Sequence, residues 1–178
     1  EDCRYLLQLD EKSLEAGLLR ATASSVIRSK NENSAILLGQ IGVDVNPCPG
    51  GCKFCTFGEK HTHFSRVRMP EEELTQKIEE FCHYGDLYGL YLMTMHDYDR
   101  EHYLKCVELA CKIAPSTTQI WANIGDTSLE GFKELHAAGV TGVYHVCRLR
   151  EGIDTDLNPQ ERIQSMHNAL NAGLELYT

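Results

Sequence analysis

Three cysteines lie close together in the first third of the chain. Three residues separate Cys48 from Cys52, two separate Cys52 from Cys55, and Gly50 and Gly51 lie in the first interval. Thiolates are soft ligands suited to iron–sulfur clusters, and glycine permits the unusual dihedral angles with which a loop wraps a cluster. A cluster that only transfers electrons normally has four cysteine ligands, so three leave one iron open to a small molecule. The spacing therefore predicts an iron–sulfur site with an open coordination position.

A structural zinc site is the alternative interpretation of the same cysteines. His61 or His63 would complete a four-ligand set with the three thiolates, although the spacing is loose. A chain with that site, or with a cluster that only carries electrons, would be a non-catalytic binding or electron-transfer module. Both interpretations of the cysteines are open at this point.

The other cysteines are scattered singly along the chain. Cys82, Cys106 and Cys111 fall in predicted helices, where a free cysteine commonly behaves as a small buried hydrophobe. Cys147 lies near the end of a predicted strand, where a buried packing thiol is the expected role. We assign no chemical function to these residues or to Cys3.

The elements that must position the cysteine motif alternate between strand and helix patterns. An aliphatic strand over residues 35–45 ends directly before the motif. Strict alternation with short connections implies parallel strands joined by helical crossovers. Further strands are predicted over 87–94, 119–124, 142–147 and 174–177, and helices over 12–30, 70–83, 100–113, from about 127 to 138, and from 159 onward.

Helix ends carry their own signals in this sequence. Thr127 and Glu130 match a capping box that would begin one helix, and Gly139 lies where a left-handed C-cap belongs. Asn158 and Pro159 suit the N-cap and first position of the last helix. These signals support the predicted order of elements.

Both doubly wound sheets and closed barrels fit this order, but no GxGxxG opens the first helix, which argues against a dinucleotide-binding sheet. We expect an α/β fold: a partial TIM-type (βα)8 barrel of about four βα units plus a fifth strand, preceded by an N-terminal helix. Residues 1–33 would form a helical extension and residues 34–178 a partial barrel domain, apparently truncated at its C-terminus.

Composition excludes some partners. With 17 Lys+Arg against 26 Asp+Glu, the formal charge of −9 argues against nucleic-acid binding, which needs a basic face. The longest aliphatic run, residues 35–38, is far shorter than a membrane helix of about 20 residues. Because no basic-then-apolar signal opens the sequence, we expect a cytoplasmic protein that does not bind membranes.

The cysteine motif, with aromatic Phe54 before its last cysteine and a barrel strand before the loop, resembles the signature of radical S-adenosylmethionine (SAM) enzymes. It is most similar to the biotin-synthase-like branch, with its hydrogenase-maturation and methylornithine-synthase relatives. The resemblance covers roughly residues 20–178. It continues through four segments, residues 121–128, 135–140, 143–145 and 159–163.

The resemblance implies a [4Fe-4S] cluster, held by the three cysteines, whose open iron binds SAM. One-electron cleavage would release a 5′-deoxyadenosyl radical that abstracts hydrogen from a small organic substrate, as in transferases or lyases of cofactor biosynthesis. A low-potential donor such as ferredoxin or flavodoxin would supply the electron. By the family pattern Phe54 lies against the adenine, and Arg148, Arg150 and Glu151 contact the ribose or methionine part of SAM. No catalytic residue is assigned.

The sequence also departs from the family pattern. Biotin synthase holds an auxiliary cluster partly through cysteines on its second and third barrel strands, where this chain has Tyr91, Leu92, Met93 and Trp121. Biotin formation by that route is therefore not expected, and the sequence identifies no other substrate.

Overall fold

A computed structural model describes residues 2–178 of the protein. The chain divides into two compact units, one ending at Ile36 and the other comprising Leu37–Thr178. The first unit contains helices α1 (Asp2–Leu7) and α2 (Leu14–Lys30). The sequence predicted α2 but not α1. The hydroxyl of Ser13 begins α2 by accepting the Ala16 N–H at 3.1 Å.

The second unit is built on one open sheet with strand order β2-β1-β3-β4-β5-β6. All neighbouring strands are parallel except β1 and β2, which are antiparallel. The strands are β1 (Leu37–Val45), β2 (Val67–Arg68), β3 (Leu87–Thr94), β4 (Gln119–Asn123), β5 (Gly142–Tyr144) and β6 (Glu175–Tyr177).

Each connection between successive parallel strands carries one helix, which confirms the predicted alternation of four βα units and a fifth strand. The short β2 was not predicted. The helices are α3 (Glu71–Cys82), α4 (Arg100–Ile113), α5 (Leu129–Ala137) and α6 (Pro159–Asn171). Among residues 2–178, no helix is long and apolar enough to cross a membrane.

The hydrophobic core lies between one face of the sheet and these helices. Successive side chains along a strand point to opposite faces of the sheet. Tyr91 lies between two core leucines of β3 and packs on Trp121, with ring centroids 5.7 Å apart. Buried members of the core include Ile41, Val43, Leu90, Leu92, Tyr103, Val107 and Phe132.

The predicted strand over 142–147 is too long, because β5 ends at Tyr144. The Arg162 guanidinium, from α6, donates to the Val146 carbonyl through Nε at 3.3 Å and Nη2 at 3.1 Å. The Val146 carbonyl is thus bonded to a side chain of α6 and not to a neighbouring strand. Residues 145–147 therefore belong to the loop that follows β5.

One predicted cap is wrong by a residue. Ser128 caps α5, since its hydroxyl accepts the Gly131 N–H at 3.1 Å. The amide of Thr127 is instead bonded to the Ser165 hydroxyl at 2.9 Å. The other two signals are confirmed: Gly139 has a φ of +108°, and Asn158 accepts the Gln160 N–H at 2.9 Å.

Candidate functional site

The three cysteines lie on the loop that leaves the carboxyl end of β1, residues 46–66, which we call the cysteine loop. The loop returns through β2, where Val67 pairs with Val45. Both ends of the loop are therefore fixed at one edge of the sheet. In a parallel sheet the loops after the other strands emerge at this same edge, where barrel enzymes carry their active sites.

An ion pair between a buried carboxylate and an arginine fixes the base of the cysteine loop. Asp44, at the end of β1, is fully buried and accepts hydrogen bonds from the Arg66 Nε at 2.7 Å and the Asp99 N–H at 2.9 Å. Burial alone would raise the pKa of Asp44, but these bonds outweigh it and lower the pKa. The sequence analysis missed this pair, although a carboxylate inside an aliphatic strand is a signal that a partner exists.

Short backbone hydrogen bonds fold the cysteine loop on itself. The Cys48 N–H donates to the Phe57 carbonyl at 2.7 Å, and the Glu59 N–H donates to the Cys48 carbonyl at 3.0 Å. The Cys55 N–H donates to the Cys52 carbonyl at 3.1 Å. The three thiols are free and half-buried. They are therefore available as ligands.

The three cysteine thiols are suitable ligands for an iron–sulfur cluster. Burial raises the pKa of Cys52, the positive charge of Arg148 opposes the rise, and Cys55 and Cys48 add to it. Cys48 and Cys55 thus lie close enough to Cys52 for their charges to disfavour its thiolate. A bound metal cluster requires thiolates and would compensate that charge. The fit rests on the chemistry of these sulfurs and on their place in the fold.

The structure does not assemble a zinc site around the cysteines. His61 and His63 are exposed. Within residues 2–178, no three or more His, Cys, Asp or Glu side chains are arranged to hold a single metal ion, and this includes the three cysteines of the loop.

Residues 148–157, which we call the strap, follow β5 and lie against the cysteine loop. The Lys53 N–H donates to the Asp154 carbonyl at 2.9 Å, and the Asp156 N–H donates to the Gly50 carbonyl at 2.9 Å. The strap carries three of the residues that the family resemblance assigned to SAM. The fold therefore brings the predicted cofactor residues to the predicted cluster ligands.

Two of the predicted SAM contacts meet directly. The Arg148 guanidinium carbon lies 5.6 Å from the centroid of the Phe54 ring, whose side chain is 61% exposed. Glu151 is buried, and its carboxylate accepts the Arg148 N–H at 2.9 Å and the Thr155 hydroxyl at 2.6 Å. Glu151 thus orders the backbone that carries Arg148.

Arg150 has a different orientation. Its Nε donates to Asp154 Oδ2 at 2.6 Å, and its Nη2 donates to Asp154 Oδ1 at 3.2 Å. Hydrogen bonds from Arg150 and Lys53 lower the pKa of Asp154 to about 2. Arg150 is therefore engaged within the strap, whereas Arg148 faces the cysteine loop.

Polar side chains follow three neighbouring strands of the sheet, and two of them are bonded to each other. His96 follows β3, Asp126 follows β4 and His145 follows β5. The Nε2–H of buried His145 donates to Asp126 at 2.9 Å, and Arg162 donates to the same oxygen at 3.1 Å. Burial would raise the pKa of Asp126, but His145 and Arg162 outweigh it and lower the pKa. The sequence analysis missed this network.

Comparison with known proteins identifies the fold. No family model matches the chain, and no curated protein matches its sequence. Methylornithine synthase (PylB) superposes with a TM-score of 0.80 and 19% identity, over 98% of this chain and 53% of that protein. HydG, a maturase of the [FeFe]-hydrogenase, matches with a TM-score of 0.72 and 15% identity, over 95% of this chain and 39% of HydG.

HydG from Carboxydothermus hydrogenoformans matches with a TM-score of 0.64 and 20% identity, over 78% of this chain and 34% of that one. The chain thus spans about half the length of methylornithine synthase and less of HydG. At these identities the likeness shows the fold. Methylornithine synthases and hydrogenase maturases are the two relatives that the cysteine motif indicated beside biotin synthase, so the predicted resemblance is confirmed at the level of the fold.

Proposed function

We propose that the chain binds a [4Fe-4S] cluster through Cys48, Cys52 and Cys55 and acts in a radical SAM enzyme. The observation that carries this proposal is the position of three free thiols at the carboxyl end of β1, in a chain that shares the fold of methylornithine synthase. When bound, the cluster supplies the electron that cleaves SAM to methionine and a 5′-deoxyadenosyl radical, which abstracts hydrogen from the substrate.

The chain's own residues would bind and orient SAM. Exposed Phe54 offers an aromatic face to the adenine, and the Arg148 guanidinium can donate two parallel hydrogen bonds to a carboxylate. Glu151 holds the backbone of Arg148 in place, and Arg150 would reach SAM by exchanging its Asp154 partner for the ligand. We therefore rank Arg148 above Arg150 as a SAM contact.

The substrate that we propose is a small organic molecule, and the electron donor a low-potential protein such as ferredoxin or flavodoxin. Tyr91 and Trp121 pack on each other where biotin synthase carries cysteines of its auxiliary cluster. This packing supports a reaction that uses no auxiliary cluster on those strands. The net charge of −9 supports partners other than nucleic acid.

Anaerobic reconstitution with iron and sulfide tests the proposal in two steps. We expect the visible absorption and the electron paramagnetic resonance (EPR) signal of a [4Fe-4S] cluster, and then 5′-deoxyadenosine on addition of dithionite and SAM. A variant with all three loop cysteines changed to alanine is the control for both signals.

A protein that stays colourless and holds one zinc ion would contradict the cluster and support the non-catalytic alternative. A cluster-loaded protein that neither binds SAM nor yields 5′-deoxyadenosine would contradict the role in SAM cleavage.

A further inference from the structure

We infer that the strap, residues 148–157, positions the cysteine loop for cluster binding. The positioning residues are Lys53 on the loop and Asp154 and Asp156 on the strap. The inference rests on the proposed function for what the loop holds. The contact between strap and loop itself is independent of that function. Asp154 and Asp156 lie on the strap, outside the cysteine motif, whereas Lys53 is one of the two residues between Cys52 and Cys55.

The backbone bonds between loop and strap fix the chain on both sides of one ligand. Gly50 accepts the Asp156 N–H at 2.9 Å, and Lys53 donates its own N–H to the Asp154 carbonyl at 2.9 Å. Cys52 lies between these two residues. Its main chain is thus held at both flanks by bonds that run in opposite directions to the same segment.

Charged side chains reinforce the backbone bonds. The Lys53 ammonium donates to the Ile153 carbonyl at 2.9 Å and to Asp154 at 3.2 Å, and Lys60 pairs with Asp156 at 2.7 Å. These pairs are exposed, so each is expected to stabilise the contact only modestly. Together with the backbone bonds they favour one arrangement of the loop.

The two segments approach closely at Gly51, where any side chain would be strained. Gly51 has a φ of +61°, and a Cβ there would overlap the Asp156 carboxylate. A Cβ on Gly50 would meet Cys48 Sγ and Leu157 at 3.5 Å, an ordinary van der Waals distance. Two adjacent glycines of one loop therefore differ sharply in what they tolerate. This difference supplies a matched pair of variants.

The contact between the strap and the cysteine loop does not arise from adjacent strands of the sheet. The strap follows β5 and the cysteine loop follows β1, and β3 and β4 lie between those strands in the sheet. Ordering a long loop costs conformational entropy. Ligands held in place before the cluster binds need no such ordering during binding.

Hydrogen–deuterium exchange on the reduced, cluster-free chain tests the contact directly. We expect the Lys53 and Asp156 amides to be protected in the wild type. Gly51→Ala should speed their exchange by about tenfold or more, whereas Gly50→Ala should change it by less than about twofold. Equal effects of the two substitutions, or no effect of Gly51→Ala, would overturn the inference.

Iron release from the loaded protein tests the positioning role. With a chelator present, Lys53→Met should release iron about two- to fivefold faster than the wild type, and Lys53→Arg, which keeps the charge and donors, should restore most of the difference. Lys105→Met is the control, because Lys105 pairs with Glu101 on the surface of α4. The EPR line shape should change in Lys53→Met only.

The two measurements separate the inference from the proposed function. If no cluster loads, the exchange experiment still decides whether the strap holds the loop. If the cluster loads but exchange and iron release are the same in all variants, the strap has no positioning role and the proposed function stands.

Discussion

Cys52 and Cys106 are both free thiols whose pKa is raised by burial. Cys52 lies among ionisable groups, whereas Cys106 lies in the hydrophobic core. Around Cys52 lie two further thiols, the Arg148 guanidinium and the Glu151 carboxylate. Cys106 lies in the hydrophobic core, and its sulfur is 3.6 Å from the Nε2 atom of His102, a ring nitrogen that also contacts the Val43 carbonyl.

The difference shows what burial alone does to a cysteine and what a functional loop adds. In the core the raised pKa keeps Cys106 a neutral, packed side chain. On the loop, several ionisable groups converge at an edge of the sheet where a ligand can bind. The number of nearby charged and soft groups therefore separates the two thiols better than the direction of their pKa shifts.

The largest expected effect is on cluster loading and concerns Cys52, the thiol on the cysteine loop. Cys52→Ala should abolish loading of the proposed cluster, because it removes one of three sulfur ligands. Cys106→Ala should load iron and sulfide as the wild type does. Metal analysis and visible absorption after reconstitution measure both. Equal loss in the two variants would mean that the cysteines have been divided wrongly.

Alkylation rates should separate the same two thiols by their environment. The pKa of Cys106 is about 11 against an ordinary value of 9.0, so at neutral pH the fraction present as thiolate is about a hundredfold smaller in the folded chain than in the unfolded one, and alkylation should be slower in the folded chain to a similar extent. Iodoacetamide labelling followed by mass spectrometry, with and without urea, measures the ratio. A ratio near one would show that Cys106 is accessible in the folded protein.

The same shift predicts how stability depends on pH. The pKa of Cys106 is higher in the folded state, so folding favours the protonated thiol. Its contribution to the free energy of unfolding is fully present below pH 9 and is lost as the pH rises from 9.0 to about 11. Urea unfolding at pH 8 and pH 11 should show less of this loss in Cys106→Ala than in the wild type.

The surroundings of Cys52 also contain two arginines that can be compared. Arg148→Ala should weaken SAM binding to the loaded protein by about tenfold or more, because a charge-assisted hydrogen bond is lost. Arg150→Ala should change the affinity by less than about threefold, because Arg150 is bonded to Asp154. Calorimetric titration with SAM measures both affinities. The reverse order would show that the strap rearranges when SAM binds.

The sequence was sufficient for features that depend on local pattern. The strand and helix order follows from periodicity and caps, and the cysteine loop follows from ligand spacing. The strap contact could not be predicted, because Lys53 and Ile153 are 100 residues apart and ordinary in type. The same holds for the Asp126 network, whose members follow different strands. Such contacts become visible only when the folded chain brings these distant segments together.

The cap of α5 shows a finer limit. Thr127 and Ser128 are adjacent and chemically similar, so sequence alone favours either as the N-cap. Tertiary contact decides between them, because the Thr127 amide is bonded to the Ser165 hydroxyl of α6. The predicted N-cap of α5 is therefore wrong by one residue because of a contact with α6.

The smallest expected effect is on the free energy of unfolding of the cluster-free chain. Cys106→Ala removes a sulfur atom from the core and should lower the free energy of unfolding by about 1 kcal/mol, through lost contacts and a small cavity. Cys52→Ala, on a half-buried loop, should lower it by less than about 0.5 kcal/mol in the cluster-free chain. Urea denaturation followed by circular dichroism measures both. Because the order of the two variants is the reverse of their order in cluster loading, a general unfolding defect cannot explain both results. A larger loss of stability in Cys52→Ala would mean that the loop thiol supports the fold itself, and its effect on loading would then need the chemically milder Cys52→Ser for comparison.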